Sequence, residues 1–221
     1  AERGVIYDRR GLELAWNNPE RTYRESVGTG SVLGYLGYSS ESSTTSPDFN
    51  PRELVGRDGV ERIFNESLRG EMGIRIEEIN ATGKIQSEYL LQPSKAGHNL
   101  TLSIDTRLQE NLYTSIKDLA ADSGFSGGAA VLLDVKTGEL IALVSYPEYD
   151  PNLLTQGTDR ERIASLLTNP NKPFLNRAVA GLYTPGSIIK PIIALGALNE
   201  KIIDSATTIL STGALTLPNP F

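Results

Sequence analysis

The chain has 221 residues, 39% hydrophobic and 22% charged, enough to bury an ordinary core and too mixed for a disordered tail or a membrane bundle. A net charge of -6 argues against a nucleic-acid footprint, which needs clustered Lys and Arg. With no Cys and a single His, disulfides, thiol nucleophiles and thiolate metal sites are excluded, a zinc cluster built on His is remote, and catalysis must use other groups.

The first ~97 residues are polar and rich in Gly and Ser, with short apolar alternations that predict strands at Gly4-Val5-Ile6-Tyr7 and Gly73-Ile74-Arg75-Ile76. Gly28-Thr29-Gly30-Ser31-Val32-Leu33-Gly34 fits neither the dinucleotide nor the Walker spacing and is expected to be a flexible turn. Ser39 to Pro51, a run of Ser, Thr, Pro, Asp and Asn, is expected to be a mobile loop. Residues 57–70 predict one helix with Val60, Ile63, Phe64 and Leu68 as its apolar stripe and Gly70 as its stop.

Composition changes near Gly97. A strand is predicted over 99–104, then a helix with Leu108, Leu112, Ile116 and Leu119 on one face and Gly124 at its end. Two apolar runs, 129–134 and 139–144, predict a hairpin with Gly138 in its turn. Residues 147–176 read as loop and short helix. The stretch 187–199 reads as a helix apolar nearly all round, which predicts burial inside a core. No run reaches the ~20 apolar residues needed to cross a bilayer. The chain starts without Met or a signal-like apolar core, so it is expected to begin inside a longer gene product from which an anchor has been trimmed.

Tyr183-Thr184-Pro185-Gly186-Ser187-Ile188-Ile189-Lys190 sets a hydroxyl at the head of that helix and an amine three residues on, and positions i and i+3 share a helix face. A Ser hydroxyl needs a base within hydrogen-bond reach. Lys190, flanked by Ile188, Ile189, Ile192 and Ile193, is expected to be dehydrated towards its neutral form. The helix N-terminus would favour an oxyanion beside Ser187. The S-x-x-K spacing alone is weak, with roughly 0.6 chance occurrences expected in a chain of this composition. Its weight comes from its place after Pro-Gly at the head of an all-apolar helix.

The surrounding blocks resemble the penicillin-binding transpeptidases. Asn176-Arg177-Ala178 with Tyr183 through Lys190-Pro191 resembles the family's nucleophile block. Gly127-Gly128-Ala129-Ala130-Val131 through Asp134, Thr137-Gly138-Glu139, Ala142, Ser145, Pro147 and Tyr149-Asp150-Pro151-Asn152 resembles its first hairpin and the loop after it. Arg3-Gly4-Val5-Ile6-Tyr7-Asp8-Arg9-Arg10-Gly11 with Leu14-Ala15 is similar to the opening motif of class B members. Gly56-Arg57-Asp58-Gly59-Val60-Glu61 to Leu68-Arg69-Gly70 is similar to a second motif of the family's pedestal, and Ile104-Asp105 with Leu108-Gln109 to the start of its catalytic domain. The surroundings of Ser187 are closer to the elongation-type members than to the division-type ones.

The resemblance implies an α+β chain: an elongated β-rich pedestal, the dimerisation-type domain, over 1–97, then over 98–221 the N-terminal part of a penicillin-binding, β-lactamase-like transpeptidase domain. It implies a peptidoglycan D,D-transpeptidase in which Ser187 and Lys190 are catalytic, with no metal or organic cofactor. The implied partners are D-Ala-D-Ala stem peptides, β-lactams that trap the same serine, and a membrane glycan polymerase met through the pedestal. The implied location is the extracytoplasmic face of the cytoplasmic membrane, on the periplasmic side, with an N-terminal anchor helix absent from this chain. The family's S-x-N and second K-T/S-G motifs are missing from residues 188–221, so a truncated, inactive chain with an exposed apolar patch is expected. Lys136-Thr137-Gly138 precedes the nucleophile and is turn chemistry rather than a catalytic strand. His98 is expected to face solvent from a loop, and Arg9-Arg10 and Arg160 to Arg162 to be solvated. Two other readings stay open: a non-catalytic scaffold whose pedestal binds a membrane polymerase, and a serine β-lactamase or β-lactam sensor.

Overall fold

The computed structural model describes residues 1–38 and 54–208 together with Leu210 and Gly213; the expected loop at Ser39 to Pro51 lies outside them. Two compact units are present, Ala1–Gly181 and Leu182–Phe221. Among the described residues no helix is long and apolar enough to cross a membrane.

The first unit is α+β. Strands β1 (Ile6–Tyr7), β2 (Glu13–Asn17) and β3 (Arg21–Tyr23) form an antiparallel meander. A one-turn helix α1 (Gly30–Leu33) leads to β4 (Leu36–Tyr38), which pairs with β5 (Leu54–Gly56). Two short helices come next, α2 (Gly59–Ile63) and α3 (Asn65–Leu68). The single helix expected over 57–70 is broken at Phe64 (φ -103, ψ 21), where Asn65 turns its side-chain oxygen to the Gly56 N–H at 3.0 Å and to Arg3 at 3.1 Å. An exposed hairpin, β6 (Ile74–Ile79) with β7 (Ile85–Gln92), precedes β8 (Leu100–Thr101). Strand β8 pairs in parallel with β1, Ile6 opposite Leu100, to complete a sheet of order β3-β2-β1-β8. Ile6, Leu14, Ala15, Tyr23, Leu33 and Leu68 close the core, with Val60, Leu100 and Leu102 packed against it, so sequence from both sides of position 97 shares one apolar cluster.

Helix α4 (Thr106–Ser123) is opened by the Asp105 carboxylate, which accepts the N–H groups of Arg107 and Leu108, and is closed by Gly124 in the left-handed region. It packs on the hairpin β9 (Gly128–Leu133) and β10 (Leu140–Tyr146). The buried face differs from the expected stripe. Leu108 and Leu119 are exposed, while Gln109, Tyr113 and Ala120 are buried. Gln109 faces inward because its amide mends the backbone of β10: Oε1 accepts the Leu143 N–H at 2.8 Å, and Nε2 donates to the carbonyls of Leu143 and Gly28. The hairpin turn is as expected, with Gly138 at φ 77 and the Asp134 carboxylate accepting the N–H groups of Lys136 and Thr137. Lys136-Thr137-Gly138 is therefore a turn.

Helices α5 (Pro151–Gln156), α6 (Arg160–Thr168) and α7 (Arg177–Ala180) complete this unit, capped by Asp150, Asp159 and Asn176. In the second unit a 3₁₀ turn (Gly186–Ile189) runs into α8 (Lys190–Asn199).

Candidate active site

Pro185 and Gly186 set up the turn that carries Ser187. Gly186 sits at φ 58 with open space where a side chain would be, a conformation that disfavours any other residue. Pro191 sets the hydrogen bonding of the turn. Lacking an N–H, it cannot supply the α-helical donor for the Ser187 carbonyl, and the Lys190 N–H bonds that carbonyl instead, three residues on. The result is a 3₁₀ turn, in which positions i and i+3 eclipse. Ser187 and Lys190 thus stand on one edge, the arrangement expected from their spacing.

Their surroundings differ from the buried core that the apolar helix alone predicts, and agree with the exposed apolar patch expected where the S-x-N and second K-T/S-G motifs are missing. Ser187, Lys190 and every residue of α8 except half-buried Ala197 are exposed, with Ile188 at 78% and Ile192 at 69% accessibility. The helix expected to lie in a core has no covering element in its own unit, where the 3₁₀ turn and α8 are the only regular structure among the described residues. Apolar composition makes α8 fit for burial, but burial needs a partner surface. Lys190 and its isoleucine neighbours Ile188, Ile189, Ile192 and Ile193 all face water. Among the described residues, Ser187 Oγ and Lys190 Nζ make no hydrogen bond.

The first unit builds a rigid frame from the motif residues. Glu61 is fully buried: Oε2 accepts from Arg3 Nε at 2.7 Å, and Oε1 from Arg21 Nε at 2.7 Å and from Tyr23 Oη at 3.2 Å. Asp8 accepts the N–H groups of Arg10 and Leu12 and the Thr106 hydroxyl; although burial opposes ionisation, these bonds hold its carboxyl below the usual range. Asn152 reads the Tyr23 backbone twice, accepting its N–H at 2.8 Å and donating to its carbonyl at 2.9 Å. Arg177 gathers the loop before α7: its guanidinium donates to the carbonyls of Asn171, Lys172 and Leu175, while its N–H donates to Ser145 Oγ.

The glycine-rich stretch at Gly28 is ordered, contrary to expectation. Gly28, Thr29, Gly30 and Ser31 are buried, and the N–H groups of Gly28 and Gly30 donate to Glu148 Oε1 and Oε2 at 2.5 and 2.8 Å. Burial nevertheless outweighs these bonds and raises the Glu148 carboxyl to about 7, with Asp150 adding to the rise. Residue periodicity carried no signal for Glu148, because a backbone anion cradle has no side-chain pattern of its own. His98 is exposed in its loop, as expected. No group of three or more His, Asp or Glu able to hold a metal occurs among the described residues. A cleft of about 720 Å³ in the first unit is lined by Val60, Ile104, Leu143, Phe174 and Val179, and it contains neither Ser187 nor Lys190.

Comparison with known proteins places both halves. The penicillin-binding protein dimerisation domain matches residues 17–102, and the penicillin binding protein transpeptidase domain matches residues 128–217. The chain is 36% identical over 164 residues to the peptidoglycan D,D-transpeptidase MrdA of Escherichia coli K12, covering 74% of this chain and 25% of that protein. Among solved structures it is similar to Pseudomonas aeruginosa PBP2 in complex with WCK 5153, with TM-score 0.76 and 30% identity, over 99% of this chain and 43% of that one. It is also similar to a chain of a peptidoglycan synthase complex that coordinates polymerization and crosslinking, with TM-score 0.77 and 26% identity, over 95% of this chain and 49% of that one. The chain thus spans about a quarter of the length of its curated relative.

Proposed function

Because the chain belongs to the class B penicillin-binding proteins and is of the PBP2 kind, we propose that it carries the nucleophile of a peptidoglycan D,D-transpeptidase. Ser187 Oγ attacks the carbonyl of the penultimate D-Ala of a stem peptide while Lys190 Nζ accepts the hydroxyl proton. The tetrahedral oxyanion collapses, the terminal D-Ala leaves as an amine carrying a returned proton, and an acyl-enzyme remains. A neighbouring strand's amine then attacks that ester, forms the cross-link and restores Ser187. A β-lactam carbonyl enters by the same first step and stays bound. The observation that carries this reading is the 3₁₀ turn that eclipses Ser187 and Lys190 directly after Pro185-Gly186.

The exposure of both side chains supports a further reading, that these 221 residues alone do not turn over: proton transfer and oxyanion contacts act as a unit and lose most of their effect when water surrounds them. The pedestal is proposed to meet a glycan-polymerising membrane partner on the extracytoplasmic side of the cytoplasmic membrane; similarity to a chain of a peptidoglycan synthase complex supports this. The two domains are proposed to divide at position 97, with Ser187 and Lys190 in the second.

Labelling of the intact protein with a fluorescent penicillin tests the proposal. Stable labelling that disappears in Ser187→Ala is expected. Absence of labelling in the unaltered protein would favour a scaffold, and rapid release of hydrolysed drug would favour a β-lactamase.

A further inference from the structure

The first unit holds a second cleft, of about 680 Å³, walled by the β2–β3 hairpin on one side and by α5 and the start of α6 on the other. Its volume falls in the range of small-ligand sites, about 300–1,000 Å³. The lining that matters is Trp16, Glu25, Asp150, Gln156, Thr158 and Arg162. The walls are held in place: Asn152 staples β3 to α5 through both backbone groups of Tyr23, and Asp159 caps α6 at the Arg162 N–H, 3.0 Å away. Part of the polar lining is committed, since Asp150 accepts the Asn152 N–H and Asp159 pairs with Arg162, and part is not. Among the described residues the side chains of Glu25, Gln156 and Thr158 and the Trp16 indole N–H make no hydrogen bond.

The lining selects a class of ligand. Glu25, Asp150 and Asp159 outnumber Arg162, which disfavours phosphates, nucleotides and carboxylate ligands. Leu153 is the one aliphatic side chain in the lining, which gives lipid nothing to hold. There remains a half-buried indole beside carboxylates, an amide, a hydroxyl and a guanidinium. Carboxylate and amide groups bond paired hydroxyls two at a time, and an aromatic ring covers the C–H face of a pyranose.

We propose that this cleft binds a neutral oligosaccharide, and that its occupant is a run of N-acetylhexosamines from a glycan strand. The choice of N-acetylhexosamine rests on the proposed cell-wall function; the preference for a neutral saccharide rests on the cleft alone. The cleft is lined by residues of the first unit alone, and its proposed ligand is polymer, whereas the proposed reaction acts on peptide.

Trp16 is the single tryptophan of the chain, so its emission reports on this cleft. Titration of the chain with chitotetraose to about 10 mM, enough to saturate a millimolar site, is expected to shift or quench that emission saturably. Gln156→Ala, an exposed change that leaves the fold intact, is expected to weaken binding at least about fivefold. An absent or non-saturating response overturns the proposal, as does an equal affinity in Gln156→Ala. A response to spermidine in place of saccharide also overturns it, since a cation would then be the ligand. An equal response to maltotetraose supports the saccharide cleft but overturns the choice of glycan. Penicillin labelling of Ser187 is read in parallel: failure of labelling with retained chitotetraose binding sinks the transpeptidase reading alone, and the reverse sinks the cleft alone.

Discussion

Tyr149 Oη donates to Asp58 Oδ2 at 2.7 Å across 91 positions of sequence, joining the loop after the β9–β10 hairpin to the Gly56-to-Glu61 motif. The Tyr149 ring also stacks on Phe174 and meets Tyr35 edge-on, and burial, then the Asp58 carboxylate, hold the phenol protonated. Tyr149→Phe keeps the ring and leaves Asp58 without this donor. The expected loss is about 1–2 kcal/mol of unfolding free energy, read from urea denaturation. A change near zero would mean that water replaces the phenol without cost.

Glu61 is the more demanding case. It is fully buried between Arg3 and Arg21, whose side chains are 8% and 2% exposed, and Arg21 Nη2 already lacks a partner among the described residues. Glu61→Gln keeps the shape, removes the carboxylate bonded to both guanidiniums, and leaves two positive charges facing each other. A loss of about 3–5 kcal/mol is expected, because breaking a buried pair strands its charges. Replacing Arg3, Arg21 and Glu61 together with apolar residues of similar volume is expected to cost less than Glu61→Gln alone. The comparison of their urea midpoints is the measurement.

These two sites show what sequence reasoning reaches. The β9–β10 hairpin was legible because two apolar runs of strand length and Gly138 between them report on two strands and one turn, all local. The placing of Ser187 and Lys190 on one face was legible from their spacing, but the helix expected from 187 begins at 190, after a 3₁₀ turn. Gln109, Glu148 and Glu61 were not legible, since each takes a core position by answering backbone or charge contributed from far along the chain: Gly28 and Leu143, Gly28 and Gly30, Arg3 and Arg21. The exposure of α8 was legible through the missing S-x-N and second K-T/S-G motifs and not through its own composition. Hydrophobic residues on every side state what a helix can be buried in, not that a partner surface is present.

The Glu148 cradle predicts a pH dependence with a definite sign. The folded chain holds the Glu148 proton up to about pH 7, and its ordinary value is 4.5. Between those values the folded state binds more protons than the unfolded one. Stability from this residue is therefore full below about pH 4.5, falls as pH rises, and is lost above about pH 7. The span is on the order of 3 kcal/mol, about 1.4 kcal/mol for each pKa unit between those values. Glu148→Gln is expected to flatten this slope between pH 5 and 8 in paired urea melts. The lost Gly28 or Gly30 bond lowers its absolute stability without altering the slope, so an unchanged slope would rule the residue out as its source.

Glycine positions separate crowding from conformation. Gly34 and Gly157 both have positive φ, 78 and 64. At Gly157, in the left-handed region at the end of α5, a methyl group meets nothing within 4 Å. Gly34 has ψ -160, a region reserved for glycine, and a methyl there is driven into the Asp58 carbonyl. Gly157→Ala is expected to cost about 1 kcal/mol, whereas Gly34→Ala prevents the α1–α2 contact and with it the first unit's cooperative melt. Equal midpoints for the two variants would contradict the close approach.

Pro191 offers a test of the turn that positions Ser187. Pro191→Ala restores an N–H at the place where an α-helix would bond the Ser187 carbonyl, and the competing 3₁₀ bond from Lys190 then loses its advantage. An α-helical turn advances about 100° per residue, so the Ser187 and Lys190 positions move from eclipsed to about 60° apart. A hydroxyl and a base that must touch are sensitive to such a displacement. Acylation of the intact protein by a fluorescent penicillin is expected to slow about tenfold, with total labelling at long times unchanged because the nucleophile is still there. An unaltered rate would show that the 3₁₀ register contributes nothing to the reaction and that the proline serves the helix alone.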